Sequence, residues 1–576
     1  MRKTCGLSML LAASLLVACD SSDGGAELAG SDADVAVPDG ALPDEGATDL
    51  PGDPGGPDLP PVDVSGDPAA DTAGPDAPPV DAPYLLIVSQ DDLATVADEW
   101  AAYRRAGGFE VEVVTVTALA GSAPDGQRFQ DAVRGRLGDV RDARGSGARL
   151  FLLLLGDAPA GGAAEDGRIP ARSCANHTPG ASGCWTDNTY ADLDADHIPD
   201  VAAGRVPART AAEARTVLDK VKDFEAHYKV GLWNRRVGMY VGEANMGAGI
   251  DGLLEIAMMD GLKRVSHAFD IVGAWDNPDS HYWYVPFNDK VVQMFNDGAL
   301  MMVYVGHGSE SWTQGLTTDQ ISKIHCNNRR PFAMFFACYA GNYAGTKDSL
   351  AETLAFKADG PVVSFGSSDV SHPYGNAVLA YESQMKALEM RYETIGEVVV
   401  AIKQGLIEND DDFRQWMDSV SGVDSSCDSP TERARILAEH NDLYNLLGDP
   451  ATSMQYPRGV AGFDPPAGSI ADRHVAVSGA VPGLSTGTAR VTLETERDVL
   501  RDDLVAIDPD DPDAADVNAN WAKANDKVIA SAEVAVTGGR FEASLDWTGT
   551  YPGGDYYLKV YADDGTVDSI GEQYFH

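Results

Sequence analysis

Cys338 and His307 are the residues whose chemistry and placement stand out first. The run Met301-Met302-Val303-Tyr304-Val305 stops at Gly306-His307-Gly308-Ser309. The run Phe332-Ala333-Met334-Phe335-Phe336-Ala337 stops at Cys338-Tyr339-Ala340-Gly341. Apolar runs of this kind read as central parallel strands, and open parallel sheets bind ligands beyond the carboxyl ends of their strands. Neighbouring strands lie about 5 Å apart. If these two are adjacent, a thiol and an imidazole meet in one cleft, as nucleophilic acyl transfer requires. The glycines beside His307 let backbone approach a substrate closely. The N–H of Gly308 with that of Cys338 would form an oxyanion hole. A helix following Cys338 would lower its pKa through its N-terminus. Singly, either residue reads as a buried cysteine or a histidine in a glycine turn. Their occurrence at matching strand ends points to catalysis.

The elements that must position them form an α/β pattern. Strands are expected at Tyr84–Val88, Val111–Val116 and Leu150–Leu155, with helices at Asp91–Arg105 and Phe129–Leu137. The pattern restarts near Trp233, with strands at Val237–Val241, Leu300–Val305, Phe332–Ala337 and Pro361–Phe365. Helices are expected at Leu253–Val265 and at about 347–357, 376–390, 394–406 and 432–447. After Pro457 the texture changes to short alternating stretches, Val475–Val477, Ala489–Leu493, Val528–Ala530, Ala532–Val536 and Tyr556–Tyr561, several of them separated by Gly-rich turns. That reads as a small β-sandwich. No internal repeat is visible.

Charge and the N-terminal stretch bound the rest. The 576 residues carry a net charge of −46, which disfavours nucleic acid and anionic membrane surfaces as partners. Between Asp20 and Pro83 there are 14 Asp and 2 Glu with no Lys, Arg or aromatic residue, so this segment reads as a disordered, extended linker. Arg2 and Lys3 precede an apolar run, Leu7–Ala18, too short to cross a bilayer. It ends in Leu16-Val17-Ala18-Cys19, which resembles a bacterial lipobox. The resemblance implies lipidation of Cys19 and export, with the chain lipid-anchored to a bacterial membrane, at the outer membrane or cell surface. The expected organisation is a signal peptide over 1–18, the linker over 19–83, an N-terminal α/β subdomain over 84–232, a catalytic α/β subdomain over 233–457 and the β-sandwich over 465–576.

Gly306-His307-Gly308-Ser309, followed some thirty residues on by Phe336-Ala337-Cys338, resembles the gingipain-type cysteine peptidases. So do Leu153-Leu154-Leu155-Gly156-Asp157, Ile169-Pro170, Gly204-Arg205 and Leu447-Gly448-Asp449-Pro450. The resemblance covers about residues 84–457 and implies a caspase-like fold of open, mostly parallel sheets in two subdomains, followed by an immunoglobulin-like domain. It also implies a cysteine endopeptidase acting on protein or peptide substrates through a Cys338/His307 acyl-enzyme, without a catalytic cofactor. Its third residue, a Glu that orients the histidine, falls on Glu243 after Met239-Tyr240-Val241-Gly242; otherwise Glu243 is a strand-end surface residue. The family often cleaves after basic residues through a pocket Asp. Asp251 matches that place, though it equally reads as a cap on the following helix. Where the family can set a Trp over the bound side chain, this chain has Ser371-His372-Pro373-Tyr374, which makes His372 and Tyr374 the candidate pocket wall. Two rival readings are a sortase-like transpeptidase of a secretion system and an inactive peptidase scaffold that binds at the cell surface.

Two further features lie outside that constellation. Asp192, Asp194, Asp196 and Asp200 alternate along one loop, as carboxylates do around calcium. The loop departs from the EF-hand at His197 and Ala203, so it reads either as a structural calcium site or as a solvated acidic turn. Cys174 and Cys184 flank a Gly-, Pro- and Ser-containing loop and are the expected disulfide. His325 beside Cys326 has no second ligand pair nearby, which argues against zinc.

Overall fold

The computed structural model describes residues 82–243, 258–259, 261–421, 426–549, 551 and 554–576. Its first part opens with β1 (Tyr84–Ser89), β2 (Glu110–Thr115), β3 (Leu150–Leu155) and β4 (Ala202–Val206), with helices Ala94–Ala106, Gly126–Arg144 and Ala211–Ala226 between and after them. All six residues of β1 and all six of β3 are buried. Alternate residues serve opposite faces. Leu85, Ile87, Phe151 and Leu153 join Trp100 on one side, and Tyr84, Leu86, Leu152 and Leu154 join Phe129 on the other. Both faces are covered, which is why these strands read as continuous apolar runs. Each fully buried Leu, Ile or Phe side chain contributes about 1.5–3 kcal/mol.

The second part adds β5 (Arg236–Val241), β6 (Asp270–Trp275), β7 (Met301–Val305), β8 (Phe332–Phe336), β9 (Val363–Ser367) and β10 (Tyr444–Leu447). The two subdomains share one ten-stranded sheet in the order β2-β1-β3-β4-β10-β9-β8-β7-β5-β6. The join is β10, antiparallel to β9 and meeting β4 in parallel at Leu447↔Arg205. The sequence reading carried a helix on to 447. Instead the helix Pro430–Leu443 stops and Tyr444-Asn445-Leu446-Leu447 enters the sheet. Its four residues are buried between the two halves, and that tertiary setting outweighs local helical periodicity. β4 and β6 and the helices Phe287–Asp297 and Asp412–Ser421 were likewise not read from the sequence. Of the helix expected at Leu253–Val265, residues 253–257 and 260 lie outside the described residues.

Residues beyond 457 form a nine-stranded sheet. One short stretch closes it: Gly459–Val460 pairs with the strand Asp568–Phe575, and Gly462–Phe463 pairs with the strand His474–Ala480. Consecutive residues thus bind both ends of the strand order, and the sheet curls around Val491, Leu493, Phe541 and Leu558. The two stretches read separately at 528–530 and 532–536 are one strand, Val528–Thr537. A helix, Ala514–Asn525, interrupts the β order and was not foreseen.

Candidate active site

Three neighbouring strands end level with one another. In the β5–β7 pairing Val241 faces Val305, and in the β7–β8 pairing Val305 faces Phe336. Gly242 N donates to Val305 O at 3.0 Å and Gly306 N to Phe336 O at 3.3 Å, so the pairing continues past the strand ends. Glu243, His307 and Cys338 each lie two residues beyond that common row. The order β5-β7-β8 therefore sets acid, imidazole and thiol side by side at the carboxyl edge.

The loops behind them are lashed together. The Tyr304 hydroxyl donates to His307 O at 2.6 Å, Gln314 N donates to that hydroxyl at 3.2 Å, and Gln314 Nε2 donates to Glu243 O at 3.2 Å. Two glycines are required. Gly306 has φ 153°, and a Cβ there would sit 2.5 Å from the Tyr304 hydroxyl. A Cβ on Gly308 would sit 2.8 Å from Ala337 Cβ and 3.1 Å from Cys338 O, so the histidine loop lies directly on the cysteine turn.

The chain turns sharply after β8. Tyr339 has φ 58°, a left-handed conformation uncommon for a residue with a bulky side chain. Tyr339 N donates to Asp369 O at 3.0 Å and Gly341 N to Ser367 O at 2.8 Å, which fastens the turn to the segment after β9. No helix starts here. The next one, Leu350–Phe356, begins twelve residues after Cys338, so the expected help from a helix N-terminus is replaced by local contacts. Cys338 is buried, with Ser371 N 3.5 Å and Ser371 Oγ 3.8 Å from its sulfur.

The first subdomain supplies a wall that sequence reasoning missed. Cys174 and Cys184 face each other across a short antiparallel pair and are joined in a disulfide, Cα–Cα 5.1 Å. The loop they close is held by the buried Asp369 carboxylate, which accepts from Asn176 Nδ2, Ser182 N and Gly183 N at 3.1–3.3 Å. Ser182 Oγ lies 3.2 Å from the Tyr339 hydroxyl. Asp369 is 187 residues from Ser182, and no local pattern reports such a pairing.

His372 and Tyr374, expected as a pocket wall, are buried and engaged in the frame. His372 Nδ1 accepts Tyr374 N at the start of the helix Pro373–Ala387, and its Nε2 is 2.9 Å from Ser426 Oγ. The Tyr374 hydroxyl donates to Asp418 at 2.6 Å and accepts from Arg414 Nε at 3.1 Å. Asp251 and Cys19 lie outside the described residues.

The acidic loop is partly gathered. Oxygens of Asp192, Asp194 and Asp200 lie within 4.8 Å of one another, while Asp196 is not in the group. Asp192 accepts from Ala195 N and His197 N, with Ala195 and His197 in left-handed conformations that fold the loop back. Asp200 also pairs with Arg141 at 3.0 Å, which takes up part of its charge. Cys326 is buried, and burial pushes its thiol up to about 12. Its neighbour His325 pairs with Asp359.

A family model described as Peptidase family C25 matches residues 78–455. Among solved structures, the chain is similar to one described as a protease, at 15% identity over 85% of this chain and 97% of that one, with TM-score 0.51. It is also similar to the Arg-specific cysteine proteinase gingipain R (RGPB), at 17% identity over 87% and 99% with TM-score 0.48. A third is the complex of Porphyromonas gingivalis RgpB pro- and mature domains, at 16% identity over 85% and 99% with TM-score 0.47. No curated protein sequence matches the chain.

Proposed function

The chain belongs to peptidase family C25, the cysteine-type peptidases of the gingipain family, and from that premise we propose that Cys338, His307 and Glu243 carry out peptide-bond hydrolysis. The observation that supports this assignment is the common row Val241–Val305–Phe336, two residues beyond which all three stand. In this reading the Cys338 thiolate attacks the scissile carbonyl. The N–H groups of Gly308 and Cys338 receive the oxyanion, where preorganised donors act most strongly. His307 protonates the leaving amine, and water then releases the acyl-enzyme. Glu243 orients the imidazole. The residues that would hold a structural calcium are Asp192, Asp194 and Asp200, an all-oxygen set suited to a hard cation.

The experiment is a peptide-hydrolysis assay under reducing conditions on Cys338→Ala and His307→Ala. Each should lose about 10³-fold or more in kcat, because the two groups act as a unit. Both should melt as the wild type does. Hydrolysis that survives Cys338→Ala would overturn the assignment.

A further inference from the structure

The loop between Cys174 and Cys184 is bound to the nucleophile turn at several points. The disulfide closes it at the end of a two-stranded ribbon, Arg172–Cys174 against Cys184–Thr186, three residues a side. A ribbon that short does not hold itself together in water. Ala175, His177, Pro179, Gly180, Ser182 and Gly183 are exposed, so little apolar burial fixes the loop. Its contacts run instead to Asp369, which is fully buried. The carboxylate accepts from Asn176 Nδ2 at 3.2 Å, from Ser182 N at 3.2 Å and from Gly183 N at 3.1 Å. Asn176 Nδ2 also reaches Val370 O at 2.8 Å, and its Oδ1 accepts Thr178 N, which fixes the amide. Outside this group, His177 pairs with Glu439. Among the described residues no Lys, Arg or His pairs with Asp369. A buried carboxylate without a cation depends on its hydrogen-bond donors, and the loop supplies three of them.

The same residue holds the turn. Asp369 O accepts Tyr339 N at 3.0 Å, directly after Cys338, and Tyr339 keeps a left-handed φ of 58° that persists only where its surroundings impose it. The Tyr339 hydroxyl lies 3.2 Å from Ser182 Oγ. Burial raises that hydroxyl above its ordinary value, Ser182 offsets the rise, and Asp369 and Glu310 add to it. Side chain and main chain of Asp369 thus join the loop to the residue beside the thiol. We propose that the Cys174–Cys184 disulfide is a redox-sensitive strap. Closed, it keeps Asp369, a positioning residue, on the Tyr339 turn; opened, it releases the turn and slows acyl transfer. The proposal rests on Cys338 being the nucleophile. A dithiol opens the strap. Cys174 is half-buried and Cys184 buried, so a reductant thiolate attacks Cys174 Sγ. The new S–S bond forms as the old one breaks, and Cys184 leaves as a thiolate and takes a proton. The second thiol of the reductant then displaces Cys174, so the reductant ends as a cyclic disulfide and both cysteines as thiols. Trp185 stays fastened, since its N donates to Ser368 Oγ at 3.1 Å and its O accepts from that hydroxyl at 2.6 Å. Release is therefore confined to the loop.

The test compares peptide hydrolysis by the full chain in two reductants. One is a monothiol, at a concentration that alkylation mapping shows to leave Cys174–Cys184 closed. The other is a strong dithiol. As thiols appear at Cys174 and Cys184, kcat should fall about tenfold or more, the scale on which misplacing a reacting group acts, while KM changes by less than about twofold. Reoxidation with an excess of the cyclic disulfide, followed by the monothiol, should restore kcat. The Cys174→Ala/Cys184→Ala double variant should start at the lower kcat and ignore the dithiol. Asn176→Ala removes one donor from Asp369 and leaves the disulfide. It should lower kcat by less, and add nothing to the double variant, because both changes act through one carboxylate. If wild type with the disulfide open, or the double variant, keeps the wild-type kcat, the strap does not act on the turn. A rise in KM alone would make the loop a wall of the cleft and overturn the proposal. So would an additive loss on combining Asn176→Ala with the double variant, or a kcat that reoxidation does not recover. Failure of the nucleophile assignment would appear separately, as hydrolysis surviving in Cys338→Ala.

Discussion

A carboxylate selects a basic side chain only if water is kept from both partners, and then a guanidinium can bind it through two parallel hydrogen bonds. Asp251 is the candidate in this chain. It follows Glu243 by eight residues, at the place the gingipain resemblance implies. The Tyr374 hydroxyl, on the other candidate for that pocket, is held by Asp418 and Arg414. We therefore expect Arg and Lys at the cleaved position to be preferred over Leu and Asp in otherwise identical peptides. Asp251→Asn should reduce that preference roughly 10–100-fold, the worth of a charge-assisted hydrogen bond. A wild-type preference for Leu or Asp would remove Asp251 from the pocket. At this scale the level placement of Glu243, His307 and Cys338 was legible because each follows an apolar run. Ser371 and Asp369 were not, because their partners come from other elements, as with Asp369 and Ser182, 187 residues apart. Arg205 and Asp449 were visible only as motif members. The structure shows why they sit there. Arg205, fully buried, pairs with Asp187 through Nε at 2.8 Å and Nη2 at 2.7 Å, and Asp449 accepts from Trp100 Nε1 and Arg104 Nε. Both are braces of the sheet.

At the scale of elements, the short helix Leu350–Phe356 ties the two reactive loops together. Leu350 N donates to Glu310 O, beyond His307, and Ala351 N donates to Ala340 O, beyond Cys338. Its capping box is closed by Glu352, which accepts from Ser349 N and Oγ, both at 2.8 Å. Burial, with Asp157 and Asp348 adding to it, raises the Glu352 carboxyl from 4.5 to about 8. A folded-state pKa above the unfolded one gives stability that is fully present below pH 4.5 and lost as pH rises through about 8. The slope is at most about 1.4 kcal/mol per pH unit. Glu352→Gln keeps an acceptor for Ser349 and removes the titration, so its melting temperature relative to wild type should climb between pH 5 and pH 9. A constant difference across that range would show that Glu352 is ionised in the folded chain. The acidic loop Asp192–Asp200 carries the next expectation. A cation bound only by the native state raises the melting temperature, so chelation should lower it and calcium restore it. Identical melts would leave the loop a solvated turn. Strands buried on both faces were readable as apolar runs. β10 was not, because its four residues follow a helix without a break and become a strand only through the neighbours they separate.

At the scale of the whole molecule, the acidic balance and the change of texture after Pro457 were legible. The way the β-domain grips the catalytic body was not. β6 is the last strand of the ten-stranded sheet, and an exposed edge invites pairing with other chains. The unforeseen helix Ala514–Asn525 covers it. Trp521 Nε1 donates to Gly273 O at 2.7 Å, and Asn525 Oδ1 accepts Gly273 N at 2.8 Å. Lys559 reaches Asp270 at 2.6 Å, where Arg235 already pairs, and these two cations hold the Asp270 carboxyl well below the usual range. His267 stacks on Tyr557 at 3.5 Å between centroids and meets Glu496 at 2.8 Å.

Arg497 is buried and makes the largest set of these contacts. Its guanidinium donates to four carbonyls of the catalytic body, Leu262 and Val265 through Nη1 and Ser266 and Phe269 through Nη2, at 2.5–3.1 Å. Those four residues belong to the stretch that continues in sequence from Asp251 toward β6. Removing the guanidinium leaves buried carbonyls without their charged donor, each worth about 1–3 kcal/mol. Arg497→Ala should therefore lower stability by about 3 kcal/mol or more. The loss should be local before it is global, because a segment opens more readily when its buried hydrogen bonds are removed. Amide exchange should accelerate at least about tenfold over 261–270 while β3 and β8 keep their protection. Peptide hydrolysis should show KM raised more than kcat lowered, since the binding side of the cleft is disturbed and the row of Glu243, His307 and Cys338 is not. Exchange unchanged over 261–270 would mean that the β-domain rests on the catalytic body without bracing it.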